Sequence, residues 1–282
     1  MLAAWFGNCN AKTTWSDMND ESDHLSPYTG RRPRTTDRWR LLEFDSVVST
    51  NTIALGLADD PANHGVVVLA REQTAGRGQY GRSWVAPPGS SVLMSILLFP
   101  PPALRRPALL TAWAAVAVCD LCEHLTGLPA RIKWPNDVLI QDRKVCGILI
   151  EQRASGTDKV AAVVGIGLNV TQSAATFAEA GLLEAASLAV FSTQSFDCRQ
   201  IADELLMRLN EEYHRLTKGD LGSLENRWKQ FLGLSGQVSV ECVKETIHGK
   251  LVDVSFAGLE LEIRGERICL QPETVRHLER AE

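Results

Sequence analysis

The sequence predicts a mixed α/β domain followed by a small all-β barrel, and three observations carry that prediction. Apolar runs of strand length, residues 64–70 (HGVVVLA) and 91–99 (SVLMSILLF), are followed by helical spacing of apolar residues across 109–125. Further strand-like runs at 131–134, 138–140, 145–153 and 160–170 precede a return of helical periodicity at 201–216. After Gly233-Leu234-Ser235-Gly236 the pattern changes to short alternating runs, which suit a small barrel.

Each element has a local cause. Between Gly7 and Arg38 the only Leu, Ile or Val is Leu25, so residues 1–38 lack the apolar area to offset ordering and read as a flexible tail. That tail cannot supply the amphipathic helices of a helix-turn-helix module. The core begins at Trp39, and residues 39–232 form the α/β domain. Strand 91–99 stops at Pro100-Pro101-Pro102. In the next helix Leu109, Leu110, Trp113, Ala117, Val118, Leu121 and Leu125 recur at spacings of three and four, and Gly127 and Pro129 end it. Residues 141–144 (QDRK) read as a hairpin turn. A last helix runs around Leu224, Trp228 and Phe231, and residues 236–282 hold the strands QVSVECV, HGKLVDVSF, LELEIRG and RICLQ.

Composition narrows the function. The chain has 282 residues, 45% hydrophobic and 22% charged, with 29 Lys and Arg against 34 Asp and Glu, a net charge of −5. That balance argues against a polyanion-binding protein, so basic groups that handle phosphates must be gathered locally. No uninterrupted apolar run reaches the roughly 18 residues of a membrane-spanning helix. The first residues, MLAAWFGNCNAK, lack the basic start of a secretory signal. The 7 cysteines, an odd number, are scattered and read as reduced thiols, so we expect a cytoplasmic protein.

Several short motifs could carry chemistry, and each has a plainer reading. Gly76-Arg77-Gly78-Gln79-Tyr80-Gly81 has the dinucleotide-binding spacing, but Arg82-Ser83-Trp84-Val85-Ala86-Pro87-Pro88 cannot open the required helix and no acid follows. What remains is a glycine-rich loop with Arg77 and Arg82. It is either an anion-binding loop or a solvated basic one. Lys133-Trp134-Pro135-Asn136-Asp137 puts an Asn and an Asp at a strand end beside a cation. This suits Mg2+ and nucleotide phosphates, or merely a capped turn. Lys144, in the expected turn, is solvated unless that turn points into a cleft. Gly165-Ile166-Gly167-Leu168-Asn169 ends a strand with glycines where a ligand ring could approach the backbone. Ser49-Thr50-Asn51 precedes a helix, where N-capping is the plain explanation. Cys119 and Cys122 have no second pair, the histidines have no metal spacing, and no nucleophilic-serine motif occurs.

Taken in order, Ser49-Thr50-Asn51, GRGQYGRSW (76–84), KWPNDV (133–138), KVCGILIE (144–151) and GIGLN (165–169) closely resemble the biotin–protein ligase family, from about Trp39 onward. The resemblance implies a mixed-sheet catalytic domain of the biotin/lipoate ligase type followed by an SH3-like barrel, without the DNA-binding domain of bifunctional members. It implies ATP-dependent formation of biotinyl-5′-AMP, with Mg2+, and transfer of biotin to a lysine. The acceptor would be a biotin carboxyl carrier domain of acetyl-CoA carboxylase or a related biotin-dependent enzyme. No DNA or membrane partner is implied, and exposed edge strands offer a place to pair two protomers. By the same resemblance, Ser49, Thr50, Asn51, Gln73, Arg77, Gly78, Gln79 and Lys144 would contact biotin. Arg82, Trp84, Lys133, Asn136, Asp137, Gly147, Gly165, Gly167 and Asn169 would serve the nucleotide, with Asp137 toward its metal. Lys144 and Arg77 would be catalytic. Gln79 departs from the best-known bacterial loop, which has arginine there. Two rivals share the chemistry in part: a lipoate–protein ligase, and a non-catalytic regulator that binds biotinyl-AMP.

Overall fold

A computed structural model describes residues 30–35, 39–155 and 159–281. The first 29 residues of the expected tail, with 36–38, lie outside the described residues. The elements in chain order are β1 (Gly30–Thr35), β2 (Arg40–Val47), α1 (Thr50–Gly56), β3 (Val66–Gln73), β4 (Ser91–Leu98), α2 (Pro107–Thr126), β5 (Ala130–Lys133), β6 (Asp137–Ile140), β7 (Arg143–Ser155) and β8 (Lys159–Asn169). They continue as α3 (Ala174–Glu179), α4 (Leu188–Phe191), α5 (Cys198–Thr217), α6 (Leu221–Leu232), β9 (Gly236–Cys242), β10 (Thr246–Val254), β11 (Leu259–Ile263), β12 (Glu266–Leu270) and β13 (Val275–Arg280).

The first sheet has the order β1-β2-β3-β4-β8-β7-β6-β5, with β2 and β3 parallel and its other pairs antiparallel. Strand β1 corrects one expectation: Gly30–Thr35 falls in the segment read as flexible, yet it pairs with β2. Pairing uses backbone groups alone, so the edge of β2 can order a chain that has no apolar side chains to bury. A second correction concerns the turn at 141–144. Only Gln141 and Asp142 form it, both with positive φ (47° and 61°), as a tight two-residue hairpin requires. Arg143 and Lys144 already belong to β7.

The sheet is buried on both faces. On β8, Val164, Ile166 and Leu168 enter a large core beneath α2, while Gly165 and Gly167 alternate to the other face. On β4, Val92, Met94, Ile96 and Leu98 join the same core, and Leu97 packs under α1 with Ala54 and Ala58. Helix α2 ends at Gly127, whose φ of 68° suits a left-handed cap. It is long and apolar enough to cross a membrane by composition, but most of it is buried in this core. Burial pushes the thiols of Cys119, Cys122 and Cys146 up, that of Cys122 to about 12.

The second sheet has the order β12-β11-β10-β9-β13, all antiparallel, and fits an SH3-like domain. It is fastened to the first sheet by the Trp134 indole, which donates from Nε1 to the Val275 carbonyl at 3.0 Å. Trp134 also meets Trp228 of α6 with centroids 5.7 Å apart, and Trp228 stacks on Phe256 at 5.1 Å. Val238, Val240, Leu259 and Leu261 continue the core that begins under α2.

Candidate active site

A cavity of about 600 Å3 opens on the face of the first sheet opposite α2. Its floor is made of glycine because other atoms already stand where a side chain would begin. A Cβ on Gly165 would lie 2.2 Å from Asn51 Oδ1. One on Gly167 would lie 2.6 Å from Trp84 Cε2, and one on Gly147 would lie 3.0 Å from Trp84 Cζ3. The indole of Trp84 therefore rests on the backbone of β7 and β8.

One end of the cavity is a polar socket. Ser49, Thr50 and Asn51 are buried at the start of α1. The capping explanation fails here: Ser49 occupies the N-cap position, but its side chain makes no cap hydrogen bond. Instead Gln73 Oε1 accepts from the Thr50 backbone N–H at 2.8 Å and from its hydroxyl at 3.1 Å. The single proton of the Ser95 hydroxyl is shared between Asn51 Oδ1 at 2.5 Å and Thr50 Oγ1 at 2.7 Å. Asn51 Nδ2 donates to Glu151 Oε2 at 2.8 Å, and the same oxygen accepts from Arg77 Nη2 at 2.8 Å. Serine, threonine and amide groups are thus fixed in orientation before anything enters.

The other end gathers cations. Lys144 Nζ lies 2.7 Å from Asp137 Oδ1 and 5.8 Å from the centroid of the Trp84 ring. Its backbone is held on both sides: Lys144 N–H donates to the Glu184 carbonyl at 2.7 Å, and its carbonyl accepts from Ala186 N–H at 2.8 Å. A strand fixed in this way, rather than a turn, aims the ammonium. Arg82 and Lys133 also line the cavity with exposed side chains.

Two asparagines named from sequence are occupied elsewhere. Asn136 Nδ2 donates to the Ile148 carbonyl at 2.7 Å, tying the 133–138 motif to β7. Asn169 Nδ2 donates to the Ala186 carbonyl at 3.1 Å, and its Oδ1 accepts from Gln172 Nε2 at 3.1 Å. Both shape the wall from within. Asp137 offers a single carboxylate; among the described residues no group of three or more His, Cys, Asp or Glu could hold a metal. Such a site suits Mg2+ carried by a polyphosphate, which needs only one or two protein carboxylates.

Every residue proposed from sequence for biotin, nucleotide or metal lines this one cavity. Sequence reasoning missed Ser95, Glu151 as the partner of Arg77, the segment from Gly181 to Ala185, and His277 from the second sheet. Ser95 left a signal, a hydroxyl with no apolar use inside SVLMSILLF. His277 left none, since its approach depends on how the two sheets dock.

Comparison with known proteins agrees with this layout. Residues 43–169 match the model of the Biotin/lipoate A/B protein ligase family. The Bifunctional ligase/repressor BirA of Bacillus spizizenii is 32% identical over 222 residues, 78% of this chain and 68% of that protein. The Biotin--[acetyl-CoA-carboxylase] ligase of Mycobacterium tuberculosis is 30% identical over 251 residues, covering 85% of this chain and 90% of that one. Among solved structures, the biotin protein ligase from Aquifex aeolicus in complex with biotin and ATP superposes with a TM-score of 0.69 at 27% identity. It covers 86% of this chain and 99% of its own. Relatives matched over most of their length, on a chain whose motif residues converge in one cavity, leave one assignment: the chain belongs to the biotin/lipoate A/B protein ligase family.

Proposed function

We propose that the chain activates biotin as biotinyl-5′-AMP and transfers it to a lysine of a biotin carboxyl carrier domain. The observation that carries this reading is one continuous cavity with a preset polar socket at one end and a group of cations at the other, Lys144 among them paired with Asp137. The socket of Thr50, Asn51, Gln73 and Ser95 suits the ureido ring of biotin, which both donates and accepts hydrogen bonds. The dithiolane of lipoate has no N–H or carbonyl to exchange with those groups, which disfavours the lipoate reading.

In the first step a carboxylate oxygen of biotin attacks the α-phosphorus of ATP, and the bond to pyrophosphate breaks. Two anions must meet, so cations held in place before reaction lower the barrier most. Lys144 and Arg77 stand ready on Asp137 and Glu151, where their ammonium and guanidinium groups can turn to substrate oxygens without first being stripped of a partner. Asp137 is the residue that would hold Mg2+, which would neutralise triphosphate charge when bound. In the second step the neutral amine of the acceptor lysine attacks the anhydride carbonyl, and AMP leaves. The glycine-rich loop and Trp84 shield that anhydride from water.

A reducing cytoplasm suits the chain, because the cysteines among its described residues are all free thiols. A carrier domain of acetyl-CoA carboxylase is the acceptor we propose, by analogy with the ligases it resembles. The test is the intact mass of that carrier domain after incubation with the full chain, Mg·ATP and biotin, with lipoate in parallel. Biotin on the carrier lysine supports the reading. Labelling by lipoate alone, or none at all, overturns it.

A further inference from the structure

We propose that Arg276 of the second sheet clasps Tyr80 at the tip of the glycine-rich loop and holds that loop over the activated intermediate. The inference rests on the ligase reading and adds a positioning role for two residues outside the family motifs' assigned contacts.

The loop is zipped at its base and ends in an exposed turn. Trp84 N–H donates to the Gly76 carbonyl at 3.0 Å, and Gly78 N–H donates to the Arg82 carbonyl at 2.7 Å. A Cβ on Gly76 would stand 2.4 Å from the Trp84 carbonyl, so the base closes only over glycine. Beyond it, Gln79–Gly81 makes one tight turn in which Tyr80 takes a φ of 56°. That left-handed conformation is unfavourable for a tyrosine, and the residue is 62% exposed, so burial does not explain it. What the turn achieves is a contact: the Arg276 guanidinium sits 5.6 Å from the Tyr80 ring centroid.

Each partner is placed for this purpose. Gln79, Tyr80, Arg82 and Ser83 face the cavity on one side and a second, outer groove on the other, so the loop is a wall between the two. Arg276 stands on β13 between Val275, whose carbonyl holds the Trp134 indole, and His277, which lines the cavity. A cation on a paired strand thus meets the exposed tip of the loop. The strength fits the task. An acyl-adenylate must be kept from water yet released to an acceptor lysine, and an exposed cation–π contact changes a rate only two- to fivefold.

The experiment compares the full chain with Arg276→Ala, Arg276→Lys, Tyr80→Leu and the Arg276→Ala/Tyr80→Leu pair. Each protein is loaded with labelled biotin and Mg·ATP, and release of biotinyl-AMP is followed after a chase with unlabelled biotin. We expect release two- to fivefold faster in each of Arg276→Ala and Tyr80→Leu, no further increase in the pair, and a rate near the parent in Arg276→Lys. Tryptic cleavage after Arg77 and Arg82 in the ligand-free chain should accelerate in the same order, with thermal midpoints unchanged. Parent rates in Arg276→Ala, or additive effects in the pair, overturn the clasp. A parent protein that forms no biotinyl-AMP refutes the ligase reading instead, and the tryptic series then decides the clasp by itself.

Discussion

Lys144 and Asp137 form an ion pair across neighbouring strands, Nζ to Oδ1 2.7 Å, with the indole of Trp84 beside the ammonium. The pair sits where the cavity floor begins, since Asp137 is opposite Gly147 in the register of β6 and β7. The Lys144 ammonium is therefore already oriented by Asp137 before any ligand enters.

Lys144→Ala should reduce biotin-dependent exchange of pyrophosphate into ATP by roughly ten- to hundredfold or more, the worth of a charge-assisted hydrogen bond. Asp137→Ala should weaken ATP more than biotin and raise the Mg2+ concentration needed for half activity. Exchange assays across biotin, ATP and Mg2+ titrations separate the two variants. An unchanged magnesium curve would mean that Asp137 serves Lys144 alone.

Gly165→Ala should act on the socket, because the new methyl would overlap Asn51 Oδ1 at 2.2 Å. Asn51 is held by Ser95 and Glu151 and can yield only by breaking those bonds. Calorimetric titration should show biotin affinity down about tenfold or more, the cost of losing one or two buried hydrogen bonds. Gly56→Ala is the control. Nothing lies within 4 Å of its would-be Cβ, and it should leave biotin binding unchanged while raising helix stability slightly.

Trp134→Phe removes the indole N–H and leaves the Val275 carbonyl without it. The expected loss is about 1–3 kcal/mol, read as a melting-point decrease of several degrees by differential scanning calorimetry. A variant that melts with the parent would show that water replaces the indole.

The buried thiols give the protein an alkaline limit. Cys122 is raised from 9.0 to about 12 by burial, and Cys119 and Cys146 are raised from the same value in the same direction. From about pH 9 the unfolded chain sheds protons that the folded chain keeps, so unfolding releases protons and stability falls as pH rises. Denaturant melts between pH 8 and 10.5 should show a progressive drop. Replacing Cys119 and Cys122 by alanine should flatten it at some cost in packing. Disulfide reagents should find Cys269, which is exposed, well before Cys119, Cys122 or Cys146.

Much of this was legible in the order of residues. Period two in β8 separates Val164, Ile166 and Leu168 from Gly165 and Gly167, which gives both the core face and the ligand floor. The helix of Leu109, Trp113 and Leu121 ends where Gly127 permits it. The failures share a cause, because each depends on a partner remote in sequence. Strand β1 forms because β2 has an open edge. Ser49 makes no cap bond, and the remote Gln73 takes the N–H of Thr50 at the helix start. Lys144 pairs with Leu139 because the hairpin closes on two residues, and the remote residues 184–186 hold its other edge. His277 and Arg276 reach the site only after Trp134 has seated the second sheet.

The socket is built by α1, β3 and β4 and backed by Glu151 of β7 and Gly165 of β8, while the wall beside it is a loop zipped at its base. A ligand head that enters meets groups already immobilised, so its capture requires little ordering of the protein. Under the clasp proposed above, the ordering that binding requires would fall on the loop. Recognition and residence would then be set by different parts of the chain, the socket governing which molecule is held and the loop for how long.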